Sequence, residues 1–514
     1  MAGQTHRHPT YRRLEIIAVA GLAATLALQV FGQSAPQAGR GPNILVIMSD
    51  EHNASVMGCA GNKIARTPNL DRLAARGVLF NTCYTTSPLC VPARMSFTFG
   101  KYISRINVWN NSVKLPPDNT PSLPRILNAA GYESFLCGKM HYDSDLRYGF
   151  TELGKASTNR GTKNGRVARR APDNLGSPRR LSERFADCHP GDKSGPLDHD
   201  RTVTELTTRF LAGRKGSDKP FFLLVGYLTP HFPIIVPEKY WEPYKGKVPM
   251  PTIPPGYLDS LPLNYRHLRA AFSVVDVPDD TVRRTRELYY GLVEWMDEQV
   301  GQVLKTLTDA GLAENTMIIY TADHGENMGE HGMWWKSCMF DSAARIPLII
   351  SYPRRWPGGQ KRDGACSLVD VVQTIAEIGG AQVPADWDGR SMVPYLRTSD
   401  VLWKDEAVSE YYAHHIASGY VMLRAGRCKY VYHTPPDDKH PAQRELYDLE
   451  ADPGELHNLA NDPANGYLVE EMHSMLLKEL GEHPDKTELR ARATNQSAPA
   501  ETDRVRPNRE RKRS

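Results

Sequence analysis

The chain lacks any Cys-x-x-Cys pair, although it holds eight cysteines, and this excludes a zinc ribbon and a thioredoxin-type redox motif. It also lacks a strong excess of either charge. Lys plus Arg number 63 against 59 Asp plus Glu, so the net charge of +4 gives no global reason to expect a nucleic-acid partner. No internal repeat is present, and beyond residue 31 no apolar run is long enough to span a bilayer. The body is therefore expected to be soluble, with no stable membrane association. At 40% hydrophobic and 24% charged, the chain is neither disordered nor fibrous in composition. Its 514 residues exceed what one compact core usually holds, so a large domain plus a smaller one is expected.

The one sustained apolar run is N-terminal. His6, Arg12 and Arg13 precede Ile16 to Phe31, and small residues follow at Gly32, Ser34, Ala35 and Ala38. This is the pattern of a secretory signal over residues 1–35, and it predicts export to the periplasm or the extracellular space. Arg12 and Arg13 suit the twin-arginine route, whereas Glu15 stands where that signal prefers an apolar residue. Both export routes remain open.

Four apolar runs read as buried strands, each ending in polar residues. Ile44 to Met48 leads to Asp50 and Glu51, and Tyr132 to Cys137 leads to Lys139 and His141. Phe221 to Val225 precedes His231, and Met317 to Tyr320 leads to Asp323 and His324. Helical patterns lie between them at 69–76, 122–130 and 281–310. Continuous apolar strands alternating with helices predict an α/β sheet covered on both faces, with its ligand beyond the carboxyl ends of the strands. This catalytic region is expected over 40–385. Strand-like runs around Ala425-Gly426 and a helix over 468–480 predict a small α+β domain over 386–484, and the polar end reads as a disordered basic tail over 485–514.

The most specific segment runs from Pro88 to Gly100 and contains Cys90-Val-Pro-Ala-Arg94. Cationic surroundings can turn a cysteine into a thiolate nucleophile, while a lone cysteine is more often buried and inert. The tyrosine-phosphatase pattern needs five residues between Cys and Arg, and here there are three. The Cys-x-Pro-x-Arg core with Gly100 resembles the signature of the formylglycine-dependent sulfatase family, within the alkaline-phosphatase-like superfamily. Gly138-Lys139-Met140-His141, Asp323-His324-Gly325, Trp335-Lys336 and Glu445-Leu446-Tyr447-Asp448 resemble further family elements. The Lys-Met-His element and the Asp-His pair are similar to bacterial choline-sulfatase and glycan-sulfatase branches.

The resemblance implies an alkaline-phosphatase-like fold, a large mixed sheet flanked by helices with a small C-terminal α+β domain. It implies hydrolysis of a sulfate monoester of a carbohydrate or small alcohol. It further implies that Cys90 is oxidised to formylglycine by a formylglycine-generating enzyme and that the hydrated aldehyde is the nucleophile. Arg94 would hold the nucleophile oxygen, and Lys139 and Lys336 would grip sulfate. His231 would protonate the departing alcohol, with Lys336 as alternative or partner, and His141 would help remove a proton as sulfate is released. A phosphodiesterase or phosphonate monoester hydrolase of the same superfamily is the alternative.

The residues support a metal independently, because Asp50, Asp323 and His324 end different strands and can converge on one ion. Glu51 and position 90 complete the expected ligand set. Oxygen-rich ligation makes Ca²⁺ the expectation, with Mg²⁺ and Mn²⁺ also compatible. His52 and His331 are given no role. Asn107, Trp109 and Asn110 either approach the substrate or pack, and the same holds for Tyr411, Tyr412, His414 and His415. The basic segment from Arg160 to Arg184 reads as a solvated loop or as a rim for a polyanionic chain.

Overall fold

The layering follows from the two faces of one strand. All eight residues of Asn43–Asp50 are buried. Ile44, Val46 and Met48 enter one apolar core, while Leu45 and Ile47 enter another on the opposite side. Because successive side chains point to opposite faces, a strand apolar at every position needs cover on both. The cover is helical. Cys90–Phe99, Leu123–Ala129 and Leu368–Ile378 contribute to the first core, and Gly195–Gly213 and Asp279–Asp309 to the second.

The computed structural model describes residues 41–154, 167, 169–175 and 181–497. Among these, the main sheet runs in the order Gln360–Arg362, Val78–Tyr84, Arg345–Ser351, Thr316–Ala322, Asn43–Asp50, Phe221–Pro230, Glu133–Gly138, Thr151–Glu152. Cys366–Ser367 adds a short ninth strand beside Val78–Tyr84. The sheet is mixed, because Arg345–Ser351 runs antiparallel to both neighbours. The four strands expected from the sequence are all present and mutually parallel, with Asn43–Asp50 between Thr316–Ala322 and Phe221–Pro230.

Register brings the polar strand ends to one edge. Ser49 pairs with Ala322, Asp50 with Pro230, and Gly138 with Gly226. The last pair must be glycine: a Cβ on Gly138 would lie 2.1 Å from the Gly226 carbonyl oxygen, and one on Gly226 would lie 2.1 Å from that of Lys139. Gly138 also has φ of 96°, a region that side-chain-bearing residues avoid. The close approach lets Lys139 N–H donate to Gly226 O at 2.8 Å and starts the lysine's segment at the edge where Asp50 ends.

A second, antiparallel sheet of four strands follows: Glu406–Tyr411, Tyr420–Ala425, Cys428–His433 and Gln443–Asp448, with the helix Gly466–Leu480 behind it. This is the small α+β unit, and all described residues belong to one body. Lys429 joins the unit to the loop that follows Lys336. Its fully buried ammonium meets Asp341 and Glu455 at 2.5 Å each and donates to Met339 O at 3.0 Å.

The tail expected from residue 485 needs correction. Pro484–Ser497 is a helix, with Glu488 and Ala491 buried. It escapes a reading by apolar periodicity because charge anchors it. Glu488 accepts from Arg169 Nε at 2.9 Å and Nη2 at 2.6 Å, and from Arg492 Nε at 2.6 Å. Residues 498–514 and the expected signal over 1–35 lie outside the described residues.

Lys429→Met keeps the bulk of the side chain but leaves the buried Glu455 carboxylate without its cation, while Asp341 keeps Arg345. The expected cost is about 3–5 kcal/mol of unfolding free energy by denaturant titration. A change below about 1 kcal/mol would contradict the clamp.

Candidate active site

Cys90 is the first residue of a ten-residue helix in which every residue is buried. Its Sγ lies 3.2 Å from His324 Nε2 and 3.7 Å from Asp50 Oδ1. Asp50, Cys90, Asp323 and His324 each offer a ligand atom, and these atoms all lie within 4.8 Å of one another. Two carboxylates, an imidazole and the position-90 side chain, all buried, fit the donor chemistry of one divalent cation.

Two cations hold this acidic pair. Arg94, one helical turn beyond Cys90, donates from Nε to Asp323 Oδ2 at 2.7 Å and from Nη1 to Lys139 O at 2.7 Å. Its Nη2 is buried without a partner. Lys139 Nζ contacts Asp50 Oδ2. Burial alone would raise the Asp323 carboxyl, but Arg94, His324, Lys139 and Lys336 hold it well below the usual carboxylate range. Burial lowers His324 to about 4, which leaves its imidazole neutral and able to ligate.

Glu51 departs from its expected place among the ligands. Its backbone sits at φ of 66°, its N–H donates to Asp323 Oδ1 at 3.2 Å, and its carbonyl accepts from Tyr289 Oη at 2.6 Å. This turn carries the carboxylate away from the four-residue set. Oε2 lies 3.3 Å from His231 Nε2, and Oε1 lies 3.1 Å from Lys336 Nζ. Glu326 escaped the sequence reading. It is fully buried, and burial together with the Glu51 charge raises its carboxyl well above the ordinary value. A glutamate two residues after His324 gives no sequence signal that distinguishes it from a surface acid.

The proton-carrying groups separate clearly. Burial, then Lys336 and Lys139, push His231 well below its ordinary value. His141 is lowered by burial, then by Lys139 and Arg94, and its Nδ1 has no partner. Burial opposes the charge on Lys336, but Cys90, Glu51 and Asp323 outweigh it and raise its pKa above the ordinary value. Lys336 therefore holds its proton at neutral pH while both histidines are neutral. Burial lowers Lys139 to about 7. The Cys90 thiol is pushed up to about 11, first by burial, so as a cysteine it is a poor nucleophile at neutral pH.

These groups floor a cavity of about 460 Å³ whose walls include Arg184, Phe232, Trp335, His414 and His415. Of the residues left between packing and substrate, His414 and His415 reach the cavity. Tyr411 and Tyr412 are buried, and Trp109 packs edge-on against Tyr412. Asn111, not Asn107 or Asn110, lines the cavity, and its Oδ1 accepts from Val91 N–H at 3.0 Å. His52 and His331 are structural, bonded to Tyr320 Oη at 2.7 Å and Tyr257 Oη at 2.6 Å.

A buried acidic cluster able to hold a cation, set beside Arg94, Lys139 and Lys336 at the carboxyl edge of an α/β sheet, is the arrangement of a hydrolase for anionic esters. The chain belongs to the sulfatase family, whose model matches residues 42–381, and a model of the N-sulphoglucosamine sulphohydrolase C-terminal region matches 329–482. The choline-sulfatase of Rhizobium meliloti is 31% identical over 452 residues, covering 82% of this chain and 83% of that protein. Among solved structures, the phosphonate monoester hydrolase of Agrobacterium radiobacter superposes with a TM-score of 0.71 at 22% identity, covering 86% of this chain and 95% of that one. A structure in complex with its substrate D-glucosamine-2-N,6-O-disulfate gives a TM-score of 0.68 at 21% identity, covering 87% and 100%. The protein is a sulfuric ester hydrolase with the alkaline-phosphatase-like fold expected from its motifs. No helix of the described residues is long and apolar enough to cross a membrane.

A cation bound at 100 times its dissociation constant stabilises a fold by about 2.7 kcal/mol. Ca²⁺ added to chelator-treated protein should therefore raise the melting temperature, and Asp323→Asn should abolish the rise. An equal rise in both proteins would contradict the assigned ligands.

Proposed function

We propose that the substrate is a sulfate monoester of a carbohydrate or small alcohol, hydrolysed by the exported enzyme. Cys90 is converted to formylglycine by a formylglycine-generating enzyme met in transit. One divalent cation, Ca²⁺ foremost, is held by Asp50, position 90, Asp323 and His324. The observation that carries the reading is the convergence of these four residues with Arg94, Lys139 and Lys336 around a cysteine whose thiol burial keeps protonated. When present, hydrated formylglycine would supply an oxygen nucleophile, and a bound cation would supply positive charge to the sulfate.

The chain's own groups do the rest. Arg94, fixed by Asp323 and the Lys139 carbonyl one helical turn from position 90, keeps a buried Nη2 without a partner as the donor for the oxygen that stands there. Lys139 and Lys336 bring positive charge to the sulfate. Lys336 Nζ is the protonated group available to the departing alcohol oxygen. His231, expected in that role, is neutral beside it, with its Nδ1 at 2.5 Å from the Phe232 carbonyl oxygen. His141 Nδ1 is the free acceptor for the proton lost as sulfate leaves.

The protein should turn over 4-nitrophenyl sulfate with a larger kcat/KM than bis(4-nitrophenyl) phosphate, and Cys90→Ala should lower sulfate turnover by more than about 10³-fold. A preference for the phosphodiester would overturn the substrate class.

Proton donation matters most when the leaving alcohol is a weak acid. Lys336→Met should therefore lower kcat for an alkyl sulfate about 10²- to 10⁴-fold and lower it less for 4-nitrophenyl sulfate. Equal losses would assign Lys336 to binding alone.

A further inference from the structure

The basic segment from Arg160 to Arg184 separates into different fates. Arg160, Lys163, Arg166, Arg179 and Arg180 lie outside the described residues. Arg169 is held by Glu488 and the Ala413 carbonyl. Arg170 donates to Leu175 O within its own loop. Arg184 alone of those described reaches the catalytic cavity.

The Arg184 guanidinium carbon lies 5.0 Å from the ring centroid of Phe232 and 5.0 Å from that of Trp335. Its neighbour Phe185 stacks on Trp335 at 5.9 Å and meets Trp334 edge-on at 4.7 Å, anchoring the short helical turn that carries the arginine. Among the described residues, no carboxylate pairs with Arg184 and no acceptor takes its side-chain N–H groups. The cavity lining includes Lys139, Lys336 and Arg184 and, among the described residues, no Asp or Glu. The nearby Glu51 carboxylate, whose charge also acts on Arg184, pairs with Lys336 Nζ at 3.1 Å.

Two consequences follow from charge and shape. A planar guanidinium clamped between rings is a preorganised fork for a carboxylate or sulfate. It also occupies positions over the Phe232 and Trp335 rings that would otherwise suit a quaternary ammonium group. Lys139 and Lys336 flank position 90 and serve the sulfate that is cleaved, so Arg184 is available for a different anion.

We propose that Arg184 is a specificity-determining residue that binds a second anionic group, a carboxylate or sulfate, on the alcohol part of the substrate. The preferred esters are then acidic or multiply sulfated sugars, and a cationic ester such as choline sulfate is disfavoured. The inference rests on the sulfatase reading above. It is tested with phenyl sulfate, 3- and 4-carboxyphenyl sulfate and 4-(trimethylammonio)phenyl sulfate, which share one framework and differ in charge.

Wild type should favour a carboxylated ester over the trimethylammonio ester, and salt should raise KM more steeply for the carboxylated one. Arg184→Gln should lower kcat/KM for that ester about 10- to 100-fold more than for phenyl sulfate, mainly through KM, and Arg184→Lys should restore part of the loss. Equal effects of Arg184→Gln on all esters, or a wild-type preference for the trimethylammonio ester, would overturn the inference while leaving the sulfatase reading intact. Failure to hydrolyse any of the sulfates would overturn both. The wild-type order and salt dependence decide the matter even if a variant misfolds.

Discussion

Everything at this site depends on two carboxylates, Asp50 and Asp323, buried within 4.8 Å of each other at the ends of adjacent strands. At an effective dielectric of about 20, like charges at that separation repel by about 3 kcal/mol. A contact like that of Arg94 with Asp323, at 2.7 Å, returns about 6 kcal/mol on the same scale before desolvation is counted. Buried acids therefore require positive charge around them, and Arg94 and Lys139 provide it. The same requirement makes the site receptive to a divalent cation and, beyond it, to an anionic ester.

That charge arrangement also sorts the protons. Lys336 sits against Glu51, with the Cys90 and Asp323 positions close by, and keeps its proton. Desolvation, then Lys336 and Lys139 at His231 and Lys139 and Arg94 at His141, keep both half-buried imidazoles neutral. A site built this way has a protonated amine on the cavity wall and an imidazole acceptor near position 90. Those are the two proton functions that ester cleavage needs on opposite sides of the sulfur. The neutral Cys90 thiol fits the same picture, because burial suppresses the thiolate and leaves the encoded residue unreactive as a cysteine.

The strands were legible in the sequence because their apolar runs are unbroken, and the register that aligns Asp50, Lys139 and Asp323 follows from parallel pairing. The Cys90–Arg94 spacing was legible because one helical turn imposes it. Glu51 lies outside the four-residue set, and adjacency to Asp50 says nothing about a backbone at φ of 66° or a carboxylate 3.1 Å from Lys336. Arg184 reads in the sequence as one of many loop charges, since the rings it lies over, Phe232 and Trp335, are distant in sequence. The helix Pro484–Ser497 was read as a tail for a related reason: its partner Arg169 lies more than three hundred residues away.

The central claim is that Cys90, enclosed by Asp50, Asp323, His324 and Arg94, works as formylglycine. Mass spectrometry of the peptide containing position 90, from enzyme purified with full sulfatase activity, tests it most directly. The account predicts an aldehyde at that position, reactive toward hydrazide and resistant to thiol alkylation. A peptide that retains an alkylatable thiol in the fully active enzyme would contradict it.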